Sequence, residues 1–132
     1  MGAKLEYCGN RVEIEDFKHS EKDEKLGNPY NCSFNIRIIS DSFSGLADRW
    51  EYNYKEWKSF IAQLKDLLNF KTSEVTLREI GYGGTIRLIG DTLGHVEVSD
   101  LVYGKHMTHS LQFEFTADQT VLPDFIKELD CL

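Results

Sequence analysis

Alternation of apolar and polar residues with a period of two recurs along this chain, and it limits the fold to sheets that bury one face and wet the other. Val12 and Ile14 alternate with Arg11, Glu13 and Glu15, and Phe34, Ile36 and Ile38 with Asn35 and Arg37. Leu46, Trp50 and Tyr52 alternate with Ala47, Arg49 and Glu51, and Val75 and Leu77 with Glu74, Thr76 and Arg78. Ile86 and Leu88 flank Arg87, Val96 and Val98 flank Glu97, and Leu111, Phe113 and Phe115 enclose Gln112 and Glu114. With Leu5 to Cys8, this gives about eight strands. Turn residues separate them: Gly9-Asn10, Ser40-Asp41-Ser42 with Ser44-Gly45, Gly81-Tyr82-Gly83-Gly84, Gly90-Asp91 with Leu93-Gly94, and Gly104-Lys105. Connections this short join antiparallel neighbours.

Two segments change to helical period. Trp57, Phe60, Ile61, Leu64, Leu67 and Leu68 form one apolar stripe behind a capping box of Asn53 and Glu56. Leu122, Phe125, Ile126 and Leu129 form another, with Asp118 or Thr120 as N-cap and Pro123 in the first turn. The order is four strands and a helix, twice. An offset of 65 residues lays Phe60-Ile61-x-x-Leu64 on Phe125-Ile126-x-x-Leu129 and Trp50 on Phe115, which fits either an internal duplication or the generic likeness of amphipathic elements. The expected fold is α+β: an antiparallel sheet of about eight strands, strongly curved or split into two β4-α halves, with two helices packed on its apolar face. Residues 17–31, rich in Lys and Glu, read as one long irregular loop.

The 132 residues suit one domain, expected to span 1–132. No apolar run approaches the roughly 18 residues of a membrane helix, and Met1 to Asn10 lacks a secretory pattern, so the expected location is cytoplasmic. Cys8, Cys32 and Cys131 are widely spaced and read as free thiols, not as a disulfide framework or a zinc site. The 15 Lys and Arg against 22 Asp and Glu give a net charge of −7, which argues against direct nucleic-acid or membrane binding and favours a basic partner.

The chain carries no G-x-S-x-G elbow, Walker lysine or H-E-x-x-H, and no catalytic, metal-binding or cofactor-binding residue is assigned. The Gly81–Gly84 run lies between strands and reads as a turn. His106 and His109 stand three apart, on opposite faces of a regular strand. His95 and Glu97 share the wet face, so a small hydrolase using them is one alternative, and a small-ligand pocket lined by Trp50, Tyr52 and Trp57 is another. The wet face itself carries Glu13, Glu15, Glu51, Glu97 and Glu114, with Glu21, Asp23 and Glu24 in the charged loop. These carboxylates are the expected contacts for a basic protein partner.

The stretch Asp91-Thr92-Leu93-Gly94-His95-Val96-Glu97-Val98 is followed by Leu111-Gln112-Phe113-Glu114-Phe115 and then by Asp118-Gln119-Thr120-Val121-Leu122. Combined in this order, and closed by a helix such as Phe125 to Leu129, the pattern resembles the WapI-type immunity proteins of bacterial polymorphic toxin systems. It covers about a third of the chain, and the first half resembles the family in strand-then-helix order only. The resemblance implies a protein that binds the C-terminal domain of a cognate secreted toxin and blocks it in the cytosol of the producer. Toxins of that kind include nucleases, notably ones acting on tRNA. The protein itself would be a monomer or weak dimer without catalytic activity.

Overall fold

Cys32, Phe34, Ile36, Ile38 and Ser40 are buried while Ser33, Asn35, Arg37 and Ile39 between them are half-exposed, so the period-two pattern of this segment is a strand lying on a core. The computed structural model describes residues 2–132. Its strands are β1 (Gly2–Tyr7), β2 (Asn10–His19), β3 (Cys32–Ser40), β4 (Phe43–Tyr52), β5 (Glu74–Arg78), β6 (Thr85–Gly90), β7 (His95–Tyr103) and β8 (Ser110–Asp118). The helices are α1 (Glu21–Lys25), α2 (Tyr54–Leu68) and α3 (Leu122–Asp130), with short 3-10 turns at Lys105–Met107 and Gln119–Val121.

The eight strands form two four-stranded antiparallel meanders, β1-β2-β3-β4 and β5-β6-β7-β8. Both turn their apolar faces to one shared core, and α2 and α3 pack on that apolar side. Phe60 of α2 and Phe125 of α3 meet Leu5, Val12 and Ile14 of the first sheet and Leu77, Ile86, Leu88 and Val98 of the second around a central gap of only about 10 Å³. Each helix also crosses to the opposite half. α2 lies along β5 and α3 along β1, where Glu128 Oε1 accepts a hydrogen bond from Lys4 N at 3.1 Å. The 65-residue offset extends to an Asx cap: Asn53 accepts from Lys55 N at 2.9 Å at the start of α2, and Asp118 accepts from Thr120 N at 3.0 Å, although Asp118 caps the 3-10 turn before α3 and α3 itself starts after Val121 with no side-chain cap.

Three expectations change. Leu46 is 44% exposed and Ala47 is buried instead, because β4 carries a bulge: Ile36 pairs with Ala47 but Phe34 with Trp50. One extra residue reverses the inward parity on its far side. The two-residue turn after β3 is Asp41-Ser42, with Ser44 and Gly45 already inside β4. The charged segment 17–31 is also more ordered than its composition suggests. β2 runs on to His19 past a second bulge, Phe17 packs on Trp57 with ring centroids 4.6 Å apart, and α1 is capped by Ser20 Oγ, which accepts from Asp23 N. His19 pins this helix to the body, stacking on Tyr54 at 3.7 Å while its Nε2 lies 2.9 Å from Glu24 Oε1.

Candidate functional site

The carboxylates expected to meet a partner do not share one surface, since two sheets facing a common core turn their wet faces in different directions. On the first sheet, Glu15 pairs with Arg37 at 3.1 Å and Glu13 lies 3.4 Å from Arg11. On the second, Glu97 lies in register with Ile89 and Thr116, and Glu114 is opposite Ser99. Glu21, Asp23 and Glu24 are on α1. Glu51, near the end of β4, is the member of the set that lines a wide cleft between the two halves, and Asp23 lines a smaller depression that shares Arg49 and Glu51 with it.

That cleft has a volume of about 660 Å³ and is built by three departures from regular structure. Its floor is the bulge of β4, where Arg49 takes a left-handed conformation (φ 56°) and its N–H is satisfied by Asn35 Oδ1 at 2.9 Å. One wall is the loop 79–84 between β5 and β6. The other is the loop 104–109 between β7 and β8, with His106 and Met107 also left-handed (φ 52° and 61°). The walls touch where the Tyr82 hydroxyl lies 3.2 Å from His106 Nδ1.

Glu79 ties the floor to the first wall. It continues the inward parity of Val75 and Leu77, and its residue is only 3% exposed. Its Oε2 accepts from Glu51 N at 2.9 Å and its Oε1 from Tyr82 N at 2.5 Å, while Ile80 N donates to the Glu51 carbonyl at 3.0 Å. The loop folds so tightly over this carboxylate that a methyl on Gly81 would stand 2.7 Å from Glu79 Oε2. Among the described residues, no Lys or Arg forms an ion pair with Asp48, Glu51 or Glu79. Burial, and then the nearby Glu79 charge, push the Glu51 carboxyl above the ordinary glutamate range, with Arg49 acting in the opposite sense. Burial, with a smaller contribution from Glu51, pushes the Cys32 thiol up to about 12.

The corresponding place in the other half is closed. There the tight Ser40–Phe43 turn reaches β8, and Ser40 Oγ donates to the Glu114 carbonyl at 3.2 Å. Trp50, Tyr52 and Trp57, the aromatic residues considered for a ligand pocket, surround Phe34 in the core at centroid distances of 5.9, 5.8 and 5.2 Å. Only Trp50 also lines the cleft. Asp48, Glu79, Tyr82 and Tyr103, which line it too, were not singled out by the sequence. For Glu79 a signal existed: a carboxylate that continues the inward parity of Val75 and Leu77 and is followed by Gly81, Gly83 and Gly84.

His95 bonds Asp91 rather than Glu97, with Nδ1 2.9 Å from Asp91 Oδ2, and Asp91 Oδ1 accepts from the N–H groups of Leu93 and His95 at 2.9 Å each. Gly94 (φ 88°) lies against the Gln119 side chain, its carbonyl accepts from Gln119 N at 2.8 Å, and His95 pairs with Asp118. The segments 91–98 and 118–122, far apart in sequence, thus lock together at one end of the second sheet. No group of three or more His, Cys, Asp or Glu among the described residues is placed to hold a metal ion.

The model of the immunity protein WapI-like family matches residues 8–132. The chain belongs to the WapI-like immunity protein family. The match includes β2 to β8, all the helices, the cleft and the locked segments, and it extends the resemblance from the second half to nearly the whole chain. Membership suggests a toxin-neutralising role, and immunity proteins of this family act in general without catalysis. No curated protein and no solved structure matches the chain. No helix of the described residues is long and apolar enough to cross a membrane.

Proposed function

We propose that this WapI-like protein is a stoichiometric inhibitor that binds the C-terminal toxic domain of a cognate secreted toxin in the producer's cytosol, the toxin being a basic nuclease such as a tRNase. The observation that carries the reading is the family match over residues 8–132. The net charge of −7 supports a basic partner, because a nuclease presents cationic side chains where it receives phosphate. Inhibition here is occupancy, with a monomer covering the toxin's surface and no turnover.

Glu51 and Asp23, on the concave side, are the proposed direct contacts, with Glu21 and Glu24 of α1 beside them. Glu13, Glu15, Glu97 and Glu114 face outward on two different sheets and contribute a field that speeds encounter. The test is to read the gene immediately upstream and, where it encodes a large secreted protein, to measure binding to that protein's purified C-terminal domain by calorimetry together with a toxicity assay. One-to-one binding that abolishes toxicity is expected; absence of binding at micromolar concentration, or binding that leaves toxicity intact, refutes the proposal. Reversing the charges of Glu21, Asp23 and Glu24 should slow association and flatten its salt dependence, and unchanged kinetics would remove α1 from the encounter surface.

A further inference from the structure

The cleft between β4 and the loops 79–84 and 104–109 is not required by the fold, since the equivalent place in the other half is closed by the Ser40–Glu114 contact. One wall holds a buried carboxylate, Glu79, whose two oxygens are engaged by backbone N–H donors and by no Lys or Arg among the described residues. A carboxylate has about four acceptor positions, so further donors can still be received. Glu51 and Asp48 bring two more carboxylates to the same cleft, against Arg49 and Lys105, and Trp50, Tyr82 and Tyr103 add aromatic surface.

We infer that this cleft receives an arginine side chain of the partner, its guanidinium bonded to Glu51 and Glu79 and packed against Tyr82. The inference rests on the toxin-binding reading and names the surface that does the binding. The chemistry selects arginine over lysine: a planar, weakly hydrated fork with five donors can bridge two carboxylates and stack on an aromatic ring, whereas an ammonium keeps more of its water. Entry of the guanidinium supplies the positive charge that the Glu51–Glu79 pair lacks. It also accounts for the left-handed bulge at Arg49, which opens the floor instead of continuing the ladder.

Two experiments separate this inference from the function on which it rests. In the first, N-acetyl-argininamide and N-acetyl-lysinamide are titrated into the isolated protein and amide shifts are recorded. Saturable shifts at Glu51, Tyr82 and Lys105, stronger with the arginine probe and reduced severalfold in Glu51→Gln and Tyr82→Ala, are expected. Shifts scattered over the surface, or unchanged in both variants, overturn the inference. In the second, affinity for the toxin domain is compared across folded variants: Glu51→Gln and Tyr82→Ala should each weaken it about tenfold or more, as for a central anchor, while Asp124→Asn on α3 stays within about twofold. Toxin that binds all three variants equally overturns the cleft assignment and leaves the immunity role standing. Wild-type protein that saturates with the arginine probe but fails to bind the toxin refutes the proposed function instead.

Discussion

Phe125→Ala should destabilise the whole molecule, including the half from which it is absent in sequence. Phe125 is 2% exposed and touches the central gap shared by both sheets and by Phe60. Because that gap is only about 10 Å³, its lining has no slack with which to collapse into the space left by a deleted ring. The expected cost is therefore in the usual range for a buried phenylalanine, about 3–5 kcal/mol. With a urea slope of about 2 kcal/mol per molar, a loss of about 4 kcal/mol lowers the unfolding midpoint by about 2 M. Trp50 and Trp57, in β4 and α2, report on the first half, while far-UV ellipticity reports on both. If residues 1–132 are one domain, both probes shift together and their transitions superimpose. A variant whose fluorescence midpoint stays at the wild-type value while ellipticity falls early would show two independent units and refute the shared-core reasoning.

Glu51→Gln should stabilise the free protein at neutral pH. A carboxyl raised in the folded state contributes stability that is complete below the unfolded glutamate value and lost as pH rises through the folded one, so the variant's advantage in Tm should grow as pH rises above about 4. A flat difference refutes it. Asp91→Asn should act in the opposite sense, since hydrogen bonds from the His95 backbone and side chain hold Asp91 below the ordinary aspartate range. Its stabilisation is present above that range and disappears as pH falls through the folded value, so wild type and variant should converge in acid melts and separate at neutrality. Gly94→Ala forces an alanine to φ 88° with its methyl 3.3 Å from Gln119 Cδ, and should cost about 1–2 kcal/mol in a urea titration; an unchanged midpoint would show that this turn is not constrained. Among the cysteines, exposed Cys8 and Cys131 should react with a thiol reagent in the native state, while buried Cys32, with its thiol raised to about 12, reacts only on unfolding. Three equivalents of rapid native reaction would contradict its burial.

The elements were legible because period two and period 3.6 are direct images of strands and helices that bury one face. What the pattern does not encode is which strands share a sheet. The carboxylates of β2, β4, β7 and β8 therefore read as one wet surface, although Glu13 and Glu97 face outward from different sheets. Parity failed at Leu46 for a local reason: a bulge adds one residue without a compositional mark, and its compensating bond comes from Asn35 on the neighbouring strand. α1 was invisible because five charged residues are too short for a helix to nucleate alone; Ser20 and the stacked His19–Tyr54 pair hold it from outside. The cleft was illegible for the deeper reason that its floor and walls come from three separate connections.

Those connections are also where the repetition breaks. The halves agree in the apolar stripes of α2 and α3, features that any such architecture needs in order to bury its helices, and in an Asx cap, at Asn53 on α2 itself and at Asp118 on the 3-10 turn that leads into α3. They disagree in the β2 bulge and the α1 segment, which have no counterpart between β6 and β7, and again in three places around the cleft. β1 and β2 are joined by the two-residue turn Cys8-Gly9, but β5 and β6 by the loop 79–84 enclosing Glu79. β8 pairs with β7 without interruption, but β4 is bulged against β3. The Ser40–Phe43 hairpin is tight, whereas its counterpart extends through the left-handed pair His106 and Met107. A stable repeat has no need of a buried carboxylate such as Glu79, with which no Lys or Arg among the described residues forms an ion pair. The shared features therefore explain how the chain folds, and the three departures gathered around one cleft are what the proposed partner contact rests on.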